Sequence, residues 1–143
     1  MEKKKAGAVF RLKPNIFKSP FGIDEVSIIR RTYVDDQFCK DKAKELELLA
    51  RCNGEERKDF RGFAVISAAA IRKAGSEVLD SRSEYVGHAH ISHGFIVERH
   101  EPPRAEVNER LDTLKRAATF IPDPHPQSWH WDGPPLAEGF RMP

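Results

Sequence analysis

The chain has 143 residues, of which 39% are apolar and 32% are charged, with a formal net charge of +2. This composition fits one folded domain with a modest core; it excludes a disordered chain and carries no nucleic-acid signature by itself. No apolar run approaches the roughly 20 residues of a membrane helix, and none follows the basic N-terminus, so we expect a cytoplasmic protein with no membrane association.

Two short strands are predicted near the N-terminus. Residues 8–12 form an apolar run with some alternation, which predicts the first strand. Residues 25–34 are rich in β-branched side chains, which predicts the second. Alternation along this strand places Val26 and Ile28 on one face and Ile29 on the other.

A long helix is predicted next, because Asp35 and Asp36 supply an N-cap and Asn53-Gly54 supplies a C-cap. Its apolar residues follow a helical stripe, which predicts the face that packs on the core. The members of this stripe are Cys39, Ala43, Leu46, Leu49 and Ala50. Cys39 and Cys52 lie 13 residues, or roughly 20 Å, apart on this helix and cannot form a disulfide within one chain.

The middle of the chain predicts a strand, a short helix and a strand. Residues 62–66 are continuously apolar and predict a buried strand. Ser67 is an N-cap for a helix over residues 68–74, which Gly75 ends. Residues 77–79 predict the following strand; its pairing with the strand at 62–66 stays open.

A second long helix follows a histidine-rich strand. Residues 85–97 predict a hairpin or a bulged strand, with the bend at residues 92–94. Residues 104–120 predict a helix with an apolar stripe of Val107, Leu111, Leu114 and Ala118.

We define residues 122–143 as the C-terminal arm. Prolines recur along it and exclude regular helix and sheet from most of its length. It nevertheless carries Trp129 and Trp131, with His130 between them. Indoles on an extended segment indicate docking, either on the domain of residues 1–121 or on a partner protein.

The candidate site is the segment that contains His88, His90 and His93. Residues two apart on a strand share a face, so His88 and His90 should project together, and His93 could approach from beyond the bend. Three imidazoles with an open fourth position would suit zinc or another divalent metal, or acid–base catalysis without a metal. The alternative is structural: the histidines line a polar rim or satisfy hydrogen bonds in the core.

Arg30 and Arg31 form a weaker candidate, because two adjacent guanidinium groups can bind an anion such as phosphate; the alternative is a pair of charges at the rim of a strand. A basic patch of these residues with the cationic N-terminal segment could contact nucleic acid. That segment contributes Lys3, Lys4, Lys5 and Arg11.

We therefore expect a single α+β domain, in which a sheet of about five short strands is covered by two longer helices and one short helix, with an extended C-terminal arm. The favoured function is that of a small accessory protein that acts by protein–protein binding through Trp129, His130 and Trp131. The alternative is a small histidine-dependent, possibly metal-dependent, hydrolase or phosphate-transfer enzyme.

Overall fold

The computed structural model describes residues 16–54, 60–81 and 84–136, which form a small α+β fold and confirm the predicted class. The strand predicted at residues 8–12 lies outside this part. No helix of these ranges is long and apolar enough to cross a bilayer. In chain order the elements are β1 (Val26–Ile29), α1 (Asp36–Cys52), β2 (Gly62–Val65), α2 (Ala68–Lys73), β3 (Glu77–Asp80), β4 (His88–Ser92), α3 (Ala105–Ala117) and β5 (Thr119–Pro122).

The five described strands divide into two antiparallel sheets of three and two strands, where the sequence predicted one sheet of about five. One sheet has the order β1-β4-β3, and the other pairs β2 with β5. The helix predicted over residues 104–120 ends at Ala117, because residues 119–122 pair with residues 62–65 instead. Strand β5 therefore spans the predicted boundary between the domain of residues 1–121 and the C-terminal arm.

The main core lies between the three-stranded sheet and the helices α2 and α3. Its most buried members are Ile71 of α2, Ile91 of β4 and Leu114 of α3. The predicted inner face of β1 packs here through Val26 and Ile28. This sheet thus presents one of its faces to the main core.

A second apolar cluster joins α1 to the C-terminal arm. Trp131 and Leu136 of the arm pack with Cys39 of α1 and Ile121 of β5. The Trp131 ring meets the ring of Phe63 edge to face, at 5.3 Å between centroids. The described part of the arm is therefore docked on its own domain.

Helix α1 begins and ends as predicted, but it packs by a different face. Asp35 caps it by accepting a hydrogen bond from the Phe38 backbone N–H at 2.8 Å. Its buried side carries Lys40, Lys44 and Glu47. The predicted stripe was wrong in its C-terminal half, where Leu46 and Leu49 are exposed. The residues that set this orientation lie in the arm, more than 80 positions away.

Two predicted strands are shorter in the structure. The strand predicted over residues 25–34 ends at Ile29, because the chain turns there with a hydrogen bond from the Tyr33 N–H to the Arg30 carbonyl. Strand β4 ends at Ser92, and residues 95–97 do not continue it as a strand. Gly94 has a φ of 85°, a conformation that glycine adopts readily and that bends the chain away from the sheet.

Candidate functional site

Strand β4 places His88 and His90 on the outer face of the three-stranded sheet. The intervening Ala89 and the following Ile91 are fully buried on the core face. This alternation follows from the two-residue period of a strand. In the pairing of β4 with β1, Ile29 lies opposite His88 and Ser27 lies opposite His90.

Both imidazoles contact the same residue, Ser81, which directly follows β3. The Nδ1 atom of His90 lies 2.6 Å from the Ser81 hydroxyl oxygen. The Nδ1 atom of His88 lies 3.2 Å from the Ser81 carbonyl oxygen, to which it donates, and 3.6 Å from a carboxylate oxygen of Glu84. The ring of Tyr85 packs on the His88 ring at 5.0 Å between centroids. Ser81 thus contacts His90 through its hydroxyl and His88 through its backbone carbonyl.

His93 belongs to the core instead. Its Nε2 lies 2.7 Å from the Phe17 carbonyl oxygen and its Nδ1 lies 2.7 Å from the Ser76 hydroxyl. A carbonyl only accepts, so Nε2 carries the hydrogen, and the Ser76 hydroxyl is free to donate to Nδ1. Arg110 in turn donates to the Ser76 oxygen at 3.1 Å and to the His93 carbonyl at 2.8 Å. This histidine therefore ties the segment before β1 to α3.

The structure does not bring the three predicted histidines together. His88 and His90 face Ser81, whereas both ring nitrogens of His93 have partners elsewhere. The described residues contain no group of three or more histidine, cysteine or carboxylate side chains that could hold a metal ion. The physical reason is strand alternation: His93 directly follows β4 on the side of Ala89 and Ile91, so it points to the core just before the turn at Gly94.

Asp24 holds that turn in place. Its carboxylate accepts hydrogen bonds from the Ser92 hydroxyl at 2.7 Å and from the backbone N–H groups of His93 and Gly94 at 2.7 and 2.9 Å. Burial by itself raises the pKa of Asp24, but these three bonds outweigh it and hold the pKa below its ordinary value. The charged form of Asp24 is therefore part of the folded structure.

Arg30 and Arg31 point to different carboxylates. Arg30 Nη2 lies 3.0 Å from Asp80 Oδ1, and its guanidinium group lies over the Tyr33 ring. Arg31 Nε lies 2.5 Å from Asp36 Oδ1, and its Nη1 donates to the Val34 carbonyl. Each guanidinium group thus has an anionic partner within the chain, and the two do not form a shared anion-binding fork.

The two indoles of the arm have different surroundings. Trp131 is buried, and its Nε1 donates to the Pro134 carbonyl at 3.1 Å. Trp129 is 47% exposed, while its carbonyl accepts a hydrogen bond from the Gln37 side chain. His130 is exposed as well. Of the predicted partner-binding residues, Trp129 and His130 remain accessible, and Trp131 anchors the arm.

An apolar surface that the sequence did not predict runs along the outside of α1. We call it the α1 apolar surface, and it carries the exposed Leu46 and Leu49, the packed rings of Phe38 and Tyr85, and the exposed Tyr33 and Val86. The Lys42 ammonium lies over both packed rings, 5.6 Å from the centroid of Phe38 and 4.7 Å from that of Tyr85. Leu46 and Leu49 follow Lys42 by one and two helical turns.

Sequence reasoning missed Ser81, Lys40 and Asp123. The sequence did contain a signal for a polar stripe on α1, because helical spacing places Lys40, Lys44 and Glu47 on one side of the helix. Ser81 and Asp123 carried no local signal, because their partners come from other elements of the fold.

Comparison with protein-family models, with curated proteins and with solved structures finds no match to this chain. The functional argument therefore depends on the geometry of the described residues.

Proposed function

We propose that this protein acts by protein–protein binding, and that the α1 apolar surface is the part that a partner covers. The supporting observation is the exposure of Leu46 and Leu49, at 66% and 57%, on a helix whose opposite side is docked on the arm. Leucine contributes about 1.5–3 kcal/mol when it is fully buried, and a contiguous exposed apolar patch is typical of an interaction site.

The exposure of these leucines follows from how α1 is held. Lys44 donates to Glu47 at 2.6 Å and to the Pro126 carbonyl at 2.7 Å, and Glu47 accepts from the Phe60 backbone N–H at 2.8 Å. Rotating the leucines inward would break these buried hydrogen bonds, each of which costs about 1–3 kcal/mol when a partner is lost. The helix therefore keeps its leucines outside, where a partner can reach them.

The chemistry of this surface fits a helical or extended apolar segment of another protein. Two leucines one turn apart form a ridge, and the tilted pair of Phe38 and Tyr85, 5.4 Å between centroids, adds flat aromatic area at its end. Aromatic residues are enriched among those that dominate binding energy. Lys42 pairs with Glu45 at 3.4 Å beside the ridge, so the rim carries both signs of charge.

The test compares two variants of the same helix. Leu46→Glu/Leu49→Glu places negative charge on the ridge. The control is Leu48→Glu, because Leu48 is 53% exposed but lies about 100° around the helix from Leu49. A protein that co-purifies with the wild type is itself purified, and its affinity for each variant is measured by calorimetry. We expect the double variant to lose at least about tenfold in affinity, equal to 1.4 kcal/mol, and the Leu48 variant to bind like the wild type.

A Trp129→Ala variant separates this surface from the arm. If the purified partner binds Leu46→Glu/Leu49→Glu as tightly as the wild type but loses affinity for Trp129→Ala, the arm is the interface and the α1 apolar surface is not. Deleting residues 122–143 cannot make this distinction, because Trp131 and Leu136 belong to the core of the same domain.

A second candidate function is hydrolysis, and the contact between Ser81 and His90 favours it. A hydroxyl 2.6 Å from an imidazole nitrogen is the arrangement of a nucleophile and its general base. Covalent labelling of Ser81 by a fluorophosphonate, lost in His90→Ala, would support this function. Ser76 is the internal control, since its contact with His93 is similar but buried. Equal labelling of Ser81 in wild type and His90→Ala would contradict it.

A further inference from the structure

The most completely buried ionic pair of the described residues joins α1 to the C-terminal arm. The Lys40 ammonium contacts the Oδ2 atom of Asp123, and both side chains are 0% exposed. The Nζ atom of Lys40 lies 5.5 Å from the ring centroid of Phe60 and 5.9 Å from that of Trp131. Neither of these two oppositely charged side chains is therefore exposed to bulk solvent.

Burial removes most of the hydration that the ammonium and the carboxylate would have in water, so each depends on the other and on nearby backbone groups for polar contacts. Transfer of one proton from Nζ to Oδ2 removes both charges at once. It leaves a neutral amine directly against a neutral carboxylic acid, which are the reactants of amide formation.

We propose that Lys40 and Asp123 condense to an intramolecular isopeptide bond. After the proton transfer, the Nζ lone pair attacks Cγ of Asp123 and the Nζ–Cγ bond forms. A second proton passes from Nζ to Oδ2, the Cγ–Oδ2 bond breaks, and Oδ2 leaves as water. One ammonium and one carboxylate thus give one amide and one water, with no change of oxidation state and no further reactant.

The backbone of His125 is placed to assist the reaction and to hold its product. Its N–H donates to the other oxygen of Asp123, Oδ1, at 2.9 Å, which polarises the carbonyl group that Nζ attacks. Its carbonyl oxygen lies 3.2 Å from Nζ and accepts from it. In the amide both contacts persist, because Oδ1 becomes the amide oxygen and Nζ keeps one hydrogen. Every polar atom of the new bond therefore has a partner.

The bond would link two distant parts of the chain. Residues 40 and 123 are 83 positions apart, and closing a loop of this length removes much of the conformational freedom of the unfolded chain. The arm would then stay attached to α1 even when the rest of the protein unfolds.

The test is the intact mass of the purified wild-type protein after incubation in the folded state. We expect it to be lighter than the sequence mass by one water molecule. Tandem mass spectrometry of a tryptic digest should show one branched peptide that joins the segments containing Lys40 and Asp123. A folded wild-type protein whose mass equals the sequence mass would overturn the proposal.

Variants identify the two residues. Lys40→Arg and Asp123→Ala should each have the unmodified sequence mass. Lys44→Arg is the matched control, because Lys44 contacts Glu47 and the Pro126 carbonyl but not Asp123, and it should keep the loss of one water. Loss of one water in Lys40→Arg would place the dehydration elsewhere and also overturn the proposal. The wild-type measurement decides the matter even if a variant fails to fold.

Discussion

Cys39 and Cys52 lie on one helix but have opposite environments. Cys39 belongs to the apolar cluster beneath the arm, and Cys52 is exposed at the end of α1. Burial raises the pKa of the Cys39 thiol to about 11, so almost none of it is thiolate at neutral pH. The thiolate is the reactive form, and position alone therefore makes one of the two thiols inert.

We expect iodoacetamide to modify one thiol of the native protein, at Cys52. Cys52→Ser should leave no fast-reacting thiol, whereas the same variant in denaturant should react at Cys39. The rates are measured by mass spectrometry at pH 7.5. Rapid modification of Cys39 in native Cys52→Ser would show that the cluster beneath the arm opens readily.

His93 is a structural residue, and its removal should be costly. His93→Ala leaves the Phe17 carbonyl and the Ser76 hydroxyl without their present partners and opens a small cavity. We expect a loss of about 2–4 kcal/mol in the free energy of unfolding, measured with urea. The control is His130→Ala, an exposed position that should change stability by no more than about 0.5 kcal/mol. Equal effects of the two substitutions would contradict the role of His93.

Helix α1 shows that an apolar stripe does not by itself choose the buried face. The side of α1 that carries Lys40 and Lys44 is buried instead, because these lysines bind two backbone carbonyl groups and one carboxylate of the arm. Burial alone raises the pKa of Glu47. Hydrogen bonds from Lys44 and the Phe60 N–H, with the charges of Lys44 and Arg51, outweigh burial and lower that pKa below its ordinary value of 4.5.

This lowered pKa predicts acid sensitivity. A carboxylate with a lower pKa in the folded state stabilises it above the unfolded pKa, and this contribution is lost as the pH falls through the folded pKa. We expect the urea midpoint of the wild type to drop as the pH falls below about 4.5. Glu47→Gln, which cannot ionise, should depend less steeply on pH over the same range. Parallel profiles for the two proteins would show that Glu47 does not contribute.

At the scale of the whole molecule, the C-terminal arm is part of the fold and not an appendage. Trp131 fills the second apolar cluster. The Gln37 side chain accepts a hydrogen bond from the Trp131 backbone N–H and donates one to the Trp129 carbonyl. A Cβ atom at Gly133 would lie 2.5 Å from the Trp131 ring, so the backbone packs against this indole too closely for any side chain at residue 133. The arm and α1 thus stabilise each other.

The two tryptophans should therefore differ sharply in their effect on stability. Trp131→Ala should cost about 3–5 kcal/mol, because it empties the space between α1 and β2. Trp129→Ala should stay within about 0.5 kcal/mol, since nearly half of that side chain is in water. Both values come from urea unfolding followed by circular dichroism. Similar losses for the two variants would mean that Trp129 is also an anchor.

Local signals were enough to predict the helices α1 and α2, because a cap such as Asp35 or Ser67 acts within three residues of itself. The shared face of His88 and His90 was equally local, since strand alternation depends only on position. Long-range contacts decided the rest. Strand β5 exists through its pairing with β2, and the contacts that hold the His93 ring in the core come from Phe17 and Ser76. The orientation of α1 depends on buried charged side chains whose partners are distant in sequence, so the spacing of apolar residues within the helix could not predict it.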